Sequence, residues 1–128
     1  MRLLLDTHSF LWYVLNDRRL SANARGLISD PSNQIEVSPA SYWEIAIKVC
    51  LGKYTLNAPY DDFMQRGITG NGFAIRHIDP QHTSVLTTLP MHHRDPFDRL
   101  LIAQAMIENI PIVSGDPAFD AYPVRRFW

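Results

Sequence analysis

The chain has 128 residues, of which 46% are hydrophobic and 20% are charged. These values exclude a disordered, collagen-like or coiled-coil protein and predict a single domain, residues 1–128, with a substantial core. The formal net charge of −1 excludes an overall basic field that attracts nucleic acid. The one cysteine, Cys50, cannot form an intramolecular disulfide, and no apolar run approaches membrane-spanning length. We therefore expect a cytoplasmic protein with no membrane partner.

The first predicted elements alternate between strand and helix. Leu3-Leu4-Leu5 is a continuous apolar run ended by Asp6, which is typical of a parallel strand buried on both faces. Residues 7–15 predict a helix, and residues 21–29 predict a second helix with Ser21 as its cap. The β-branched residues in 35–38 predict the second strand.

The segment from Ala40 to Leu51 is apolar with helical spacing, and Gly52 supplies a stop. Ser41 and Glu44 have the spacing of a capping box, in which the Glu44 side chain reaches back to the Ser41 N–H. Cys50 lies in this apolar run and is predicted to be a packed thiol. The following predicted elements are a short helix (59–66), a loop (67–72), a strand (73–75) and a helix (82–89).

The segment from Asp95 to Ala105 predicts a long helix that starts on two acids. Asp95 fits the N-cap and Pro96 the first helical position, and helical winding leaves Gln104 and Glu108 as the solvent stripe. Asp98 then points toward the core, where a carboxylate needs a partner. The simple interpretation is that Asp98 caps its own helix and pairs with Arg99 or Lys48.

Two further strands are predicted after this helix, at residues 112–114 and 124–127. Strands that alternate with helices indicate right-handed crossovers between parallel strands. The sequence therefore predicts an α/β fold, a three-layer α/β/α sandwich around a mostly parallel sheet of four to five strands.

Four acids lie at predicted junctions between elements: Asp6, Glu44, Asp98 and Asp116. Acids near helix N-termini cap free N–H groups, and this alone explains their positions. In a parallel sheet, however, strand ends share one edge, so Asp6, Glu44 and Asp116 are also expected to converge. Clustered carboxylates repel one another, and Mg²⁺ or Mn²⁺ compensates for this repulsion with oxygen ligands. The edge argument does not place Asp98, and both interpretations stay open.

Several motifs together carry a resemblance to a known family. In chain order they are Leu3-Leu4-Leu5-Asp6-Thr7-His8 with Leu11-Trp12, Ser41-Tyr42-Trp43-Glu44-Ile45-Ala46-Ile47-Lys48 with Leu51-Gly52-Lys53, the segment from His93 to Ala105, Ser114-Gly115-Asp116, and the ending Tyr122 to Trp128. In this order and spacing the chain resembles the PIN-domain ribonucleases, and most closely the VapC-type toxins of toxin–antitoxin pairs. The resemblance covers essentially the whole chain.

The resemblance implies that Asp6, Glu44, Asp98 and Asp116 are the catalytic and metal-binding set. It implies an endoribonuclease that uses Mg²⁺ or Mn²⁺ and a metal-activated water to hydrolyse RNA phosphodiester bonds. It also implies a cognate antitoxin as partner and a homodimer. Auxiliary candidates are Asp95, Thr7, Ser114 and Arg99. Gly115 stands where the family frequently has Asn or another polar residue.

Other residues are weaker candidates for contact with RNA. The histidines His8, His92 and His93 are candidates for phosphate contact or for protonation of a leaving group, although loop histidines are more often structural. Basic side chains such as Lys53 and Arg94 are candidates for the RNA backbone. Aromatic side chains are candidates for base stacking, although they more often belong to a core or an interface; they are Trp12, Tyr42, Trp43 and Trp128.

Two alternative functions remain at this point. Asp6 at the end of the first strand also fits an aspartate-based phosphotransfer enzyme of the haloacid-dehalogenase-like class. Such enzymes have an Asp-x-Asp-x-Thr pattern, and His8 occupies the second acidic place here. The other alternative is a non-catalytic RNA- or protein-binding module on the same fold.

Overall fold

A computed structural model describes residues 1–128, and a five-stranded sheet lies at its centre. The strands are β1 (Arg2–Leu5), β2 (Gln34–Val37), β3 (Ala74–Ile75), β4 (Ile112–Val113) and β5 (Arg126–Phe127). They follow the order β3-β2-β1-β4-β5, and every neighbouring pair is parallel. Each predicted strand is present, although β3, β4 and β5 are shorter than predicted.

Helices cover both faces of the sheet. They are α1 (Thr7–Leu15), α2 (Ala22–Ser29), α3 (Pro39–Cys50), α4 (Tyr60–Met64), α5 (Pro80–Leu86) and α6 (Pro96–Glu108), with a π-helical turn at Gln65–Thr69 and a 3₁₀ turn at Pro117–Ala121. The predicted α/β/α sandwich is confirmed. None of the helices combines the length and the apolar character needed to span a membrane.

The central strand β1 is buried on both faces because its side chains alternate between two cores. Leu3 and Leu5 pack into one core with the helices α1 and α2, whereas Leu4 packs into the other with α6. All three side chains are fully buried. The continuous leucine run therefore forms the boundary between the two helical layers.

Acidic N-caps lie at the edge of the sheet where the parallel strands end. The Asp6 carboxylate accepts a hydrogen bond from the Ser9 N–H at 2.8 Å, which caps α1. Asp116 follows β4 and caps the 3₁₀ turn by accepting from the Ala118 N–H at 2.9 Å. Asp95 caps α6 as predicted.

The predicted capping box at Ser41 and Glu44 is wrong. Helix α3 begins at Pro39, and the side chain of Ser38 caps it by accepting from the Ala40 N–H at 3.1 Å. Proline suits the first helical position, so the helix starts before Ser41. Ser41 and Glu44 consequently lie inside the helix on one buried face.

Two predicted side-chain environments are also wrong. Gln104 is fully buried, and its amide donates to the backbone carbonyls of Arg76 at 3.0 Å and His77 at 3.3 Å. Helix α6 therefore packs on two sides, and helical spacing alone did not show the second contact. Cys50 is exposed at the end of α3.

Two predicted boundaries differ from the structure. The predicted loop 67–72 begins with the end of the π-helical turn, where the buried Ile68 contributes to the core. The helix predicted at 82–89 instead runs from Pro80 to Leu86. Pro80 again fits the first helical position, which explains the earlier start.

Candidate active site

A cleft of about 470 Å³ opens at the edge of the sheet where β1 and β4 end. It is lined by Asp6, His8, Trp12, Arg19, Gly115, Asp116, Pro117 and Trp128. Two of the predicted acids therefore share one cleft. They reach it because parallel strands place their carboxyl ends, and the turns that follow, on the same edge.

Asp6 is held rigidly at the floor of this region. Its side chain is buried, with the residue 4% exposed, and accepts the 2.8 Å hydrogen bond from the Ser9 N–H. Burial raises the pKa of the Asp6 carboxyl, while hydrogen bonds from Ser114 and Ser9 act in the opposite direction. A nearby cation would favour the ionised form of this carboxyl group and lower its pKa.

Asp98, Asp116 and His93 form a compact group of potential metal ligands. One ligand atom from each lies within 4.8 Å of the others. The Nε2 atom of His93 lies 2.7 Å from Oδ2 of Asp98. Three elements meet here: the loop before α6, the first turn of α6, and the turn after β4.

The environment of Asp98 opposes its ionisation. The pKa of Asp98 is raised to about 7: burial and the negative charges of Asp95 and Asp6 raise it, and the hydrogen bond with His93 opposes them. The effect of Asp6 means that the two carboxylates are close enough to interact. A divalent cation would relieve both the burial cost and the repulsion.

Glu44 lies in the second turn of α3 and is 3% exposed. One carboxylate oxygen accepts a hydrogen bond from the Lys48 ammonium at 2.6 Å. The other oxygen, Oε1, is buried and has no hydrogen-bond partner. An unpaired buried carboxylate oxygen is costly, and a hard cation is a partner that suits its chemistry.

The structure therefore brings the predicted acids together only in part. Asp98 and Asp116 are grouped with His93, whereas Asp6 and Glu44 lie outside that group. Asp98, which the edge argument did not place, belongs to this group. His93 was considered for RNA phosphate contact or for protonation of a leaving group, and its pairing with Asp98 was missed because it depends on how the loop before α6 folds back.

Comparison with known proteins identifies the fold family. The family model for the PIN domain matches residues 3–124. The chain belongs to the PIN domain family. Comparison with curated protein sequences finds no significant match.

Solved structures similar to this PIN domain match over nearly their whole length. VapBC2 from Rickettsia felis bound to a DNA fragment from their promoter is 14% identical, with a TM-score of 0.66, and the match covers 99% of this chain and 98% of that chain. FitAcB from Neisseria gonorrhoeae is 17% identical, with a TM-score of 0.67 and coverage of 98% and 96%. VapBC-1 from nontypeable Haemophilus influenzae is 15% identical, with a TM-score of 0.64 and coverage of 99% and 97%. At these identities the likeness shows the fold alone.

The auxiliary candidates of the PIN domain have structural contacts. Thr7 Oγ1 donates to Ser41 Oγ at 3.2 Å and joins α1 to α3. Ser114 Oγ accepts from the Asp116 N–H at 3.0 Å, which orders the turn that carries Asp116. The side chain of Asp95 accepts from the N–H groups of Phe97 and Asp98 at 2.8 and 3.1 Å.

Arg99 does not pair with Asp98, contrary to the simple interpretation. Its guanidinium donates to the backbone carbonyls of Pro90 at 2.9 Å, Leu89 at 3.1 Å and His93 at 3.3 Å. Lys48, the other predicted partner of Asp98, pairs with Glu44 instead. Arg99 is thus a buried anchor for the loop that carries His93.

Proposed function

We propose that this PIN domain is a metal-dependent endoribonuclease that acts as the toxin of a toxin–antitoxin pair. The observation that supports this most is the group formed by Asp98, Asp116 and His93 at the carboxyl edge of the sheet. Buried Asp6 lies close enough to raise the pKa of Asp98. A concentration of carboxylates in a cleft is suited to holding a divalent cation against a phosphodiester.

The proposed ligands of that cation are Asp6, Glu44, Asp98 and Asp116. Their oxygen atoms suit Mg²⁺ or Mn²⁺, and a divalent cation would satisfy the buried Oε1 of Glu44, which has no hydrogen-bond partner. When bound, the ion supplies positive charge to the phosphate and lowers the pKa of a water molecule. His93 is proposed to orient Asp98 through their 2.7 Å contact.

The protein's own contribution to this chemistry is to hold the carboxylates before RNA arrives. The Ser9 N–H fixes Asp6, and Lys48 fixes one oxygen of Glu44 while the other stays free. Such fixed groups avoid reorganisation during the reaction, which is how preorganised sites accelerate it. RNA hydrolysis without a covalent enzyme intermediate is the proposed reaction.

We propose a cognate antitoxin as the protein partner. The matched structures are VapBC and FitAcB assemblies, and the family resemblance assigns such assemblies to toxin–antitoxin pairs. Exposed apolar side chains, including Trp43 at 59% and Leu51 at 62% exposure, supply contact area for a partner. A homodimer is proposed from the resemblance.

Membership of the PIN family argues against the haloacid-dehalogenase-like alternative. Asp6 also has a structural reason for its position, because it caps α1 from a buried site. A non-catalytic module on the same fold is the alternative that the experiment below separates from the proposal.

Expression in bacteria tests the proposed function. Wild-type protein is expected to slow growth and to generate new RNA 5′ ends at defined sites, detected by sequencing. Asp98→Asn is expected to remove both effects, whereas Asp62→Asn, which changes an exposed acid on α4, is expected to retain them. Normal growth and unchanged RNA 5′ ends with the folded wild-type protein would favour the non-catalytic module.

A further inference from the structure

An aromatic wall lies beside the carboxylates in the cleft. The indole of Trp128 packs directly on the backbone of Gly115: a Cβ atom at position 115 would lie 2.9 Å from both Cε2 and Cζ2 of the indole. This spacing is too short for any side chain without movement of the ring. Gly115, which departs from the family pattern, therefore leaves the space that Trp128 occupies.

Trp12 extends this aromatic wall. Its ring meets the Trp128 ring edge-to-face, with centroids 6.1 Å apart and an interplanar angle of 61°. Both indoles are only partly buried, and both line the cleft that contains Asp6 and Asp116. The His8 ring, which lines the same cleft, packs against Trp12 with ring centroids 5.2 Å apart. The cleft volume of about 470 Å³ is within the usual range for a small-molecule pocket. Aromatic surface and proposed metal ligands thus share one opening.

Positive charge lies at the outer side of the aromatic wall. The Arg19 guanidinium lies 5.0 Å from the centre of the Trp12 ring and pairs with Asp17 at 2.8 Å, and its side chain is 68% exposed. A second cleft shares His8, Trp12 and Arg19 with the first and also includes Lys53 and Tyr54. Arg19 and Lys53 therefore lie beside the same aromatic groups, in a chain whose formal net charge is −1.

We propose that Trp12 and Trp128 form a stacking site for one unpaired nucleobase of single-stranded RNA, with Arg19 contacting a neighbouring phosphate. Every base offers a π face, so such stacking selects single strands with little dependence on sequence. Paired bases in a duplex are stacked on each other and do not offer that face. This inference rests on the proposed nuclease function and specifies its substrate as RNA with an unstacked base next to the cleavage site.

The charges favour RNA over a protein segment as the occupant. A cation held by the acids would complement a polyanion, and so do the arginine and lysine on the same surface. A peptide of the partner protein is the competing occupant. It predicts that changes at Trp12 and Trp128 weaken partner binding and leave RNA binding unchanged.

The test measures RNA binding with an abasic nucleotide scanned along a short fluorescent single-stranded RNA. Fluorescence anisotropy is recorded with Asp98→Asn protein, so that cleavage does not interfere. In this background, one abasic position is expected to weaken binding roughly tenfold. Adding Trp12→Leu or Trp128→Leu is expected to cause a similar loss and to abolish the further effect of the abasic position.

Matched variants separate stacking from general disruption. Tyr13→Leu changes a partly buried aromatic residue on the same helix whose ring packs on Phe73, and it is expected to retain the abasic effect. Trp12→Phe is expected to retain it as well, whereas Gly115→Ala is expected to lose it by displacing Trp128. The proposal would be overturned if the abasic effect persisted in both tryptophan-to-leucine variants. It would also be overturned if these variants bound the intact RNA as tightly as the Asp98→Asn parent.

The same variants distinguish failure of this proposal from failure of the nuclease assignment. Cleavage of RNA by an otherwise wild-type chain, with equal kcat/KM for Trp12→Leu and Trp128→Leu, would overturn the stacking site alone. Absence of cleavage by the wild type would contradict the nuclease function. Loss of only partner binding in the tryptophan variants would assign the wall to a protein and overturn the RNA proposal.

Discussion

Asp98 is the residue whose surroundings are least compatible with its own charge. It sits 19% exposed in the first turn of α6, beside the cap Asp95 and near Asp6. These neighbours and its burial raise its pKa to about 7, although His93 opposes the change. Ionised Asp98 therefore destabilises the fold until a cation compensates for its charge.

The stability of the metal-free protein is predicted to fall as pH rises from about 4 to about 7. In this window the folded state holds a proton on Asp98 that the unfolded state has released, so raising the pH favours unfolding. Asp98→Asn is predicted to remove this contribution and to raise the free energy of unfolding at pH 8 by about 1–3 kcal/mol. Urea denaturation in EDTA, at pH values across this window and at pH 8, measures the free energy of unfolding.

Asp62→Asn is the control for this prediction, because it removes an exposed acid. It is expected to leave the pH dependence unchanged. A wild type and an Asp98→Asn variant with the same pH dependence would contradict the assignment of this effect to Asp98.

Site residues were predictable from the sequence where adjacent residues determine their role. Asp95 was predicted as a cap because the cap motif is contained in adjacent residues. Asp98 was identified by resemblance and not by geometry, since no strand leads directly into α6. Its contact with His93 spans five positions, from the loop before α6 into the first turn of that helix, and no periodic pattern indicates such a contact.

Among the elements, α6 and the loop before it depend on Arg99. Arg99 is 9% exposed, and its guanidinium donates to three backbone carbonyls in that loop, including that of His93. Removing an arginine whose guanidinium donates to backbone carbonyls is costly, because the carbonyls lose their donors and the aliphatic part of the side chain loses its packing. Arg99 therefore couples the stability of the loop to the position of His93.

Arg99→Met is predicted to lower the free energy of unfolding by about 2–4 kcal/mol, because carbonyl groups lose their donors. It is also predicted to change the NMR signals of the His93 imidazole. Arg94→Met, at an exposed arginine in the same loop, is the matched control and should have little effect on either measurement. Equal stability for the two variants would rule out the anchoring role of Arg99.

Element boundaries were predictable where the deciding residues are adjacent. Leu3–Leu5 forms β1 as its apolar run predicts, and Asp95 and Pro96 start α6. The start of α3 was misplaced because Ser41 matched a capping motif while Ser38 and Pro39 supplied the real start. The burial of Gln104 depends on carbonyls near β3, which are distant in sequence.

At the scale of the whole molecule, Glu36 links distant parts of the fold. It is fully buried on β2, and its carboxylate pairs with Arg2 on β1 at 2.7 Å and with Arg76 after β3 at 2.6 Å. Arg76 also pairs with Glu108 on α6 at 2.7 Å. Burial raises the pKa of Glu36, but hydrogen bonds from the two arginines outweigh it, so that the net pKa is lowered.

Glu36→Gln is predicted to lower the free energy of unfolding at pH 7 by about 1–3 kcal/mol, because two arginines lose their charged partner. This loss of stability is smaller than for a fully buried ion pair, because the two arginine side chains are 38% and 25% exposed. Urea denaturation measures the change. A Glu36→Gln variant as stable as Asp62→Asn would contradict this role.

The layered architecture was predictable, but the strand order was not. Alternating strands and helices lead to parallel pairing and to helices on both faces. They do not determine that β1 lies between β2 and β4, which is the arrangement that brings Asp6 and Asp116 to one cleft. The position of Glu44 likewise depends on how α3 packs against α1, a contact between distant segments.

Metal-dependent ribonuclease activity is tested by cleavage of a fluorescent single-stranded RNA by the purified protein, with Mg²⁺ or Mn²⁺ and with EDTA. Wild-type protein and Asp62→Asn are predicted to cleave with either ion and not in EDTA. Loss of one carboxylate is predicted to slow cleavage by about 100-fold or more; the variants are Asp6→Asn, Glu44→Gln, Asp98→Asn and Asp116→Asn. Cleavage that persists in EDTA, or that survives both Asp6→Asn and Asp98→Asn, would contradict the account.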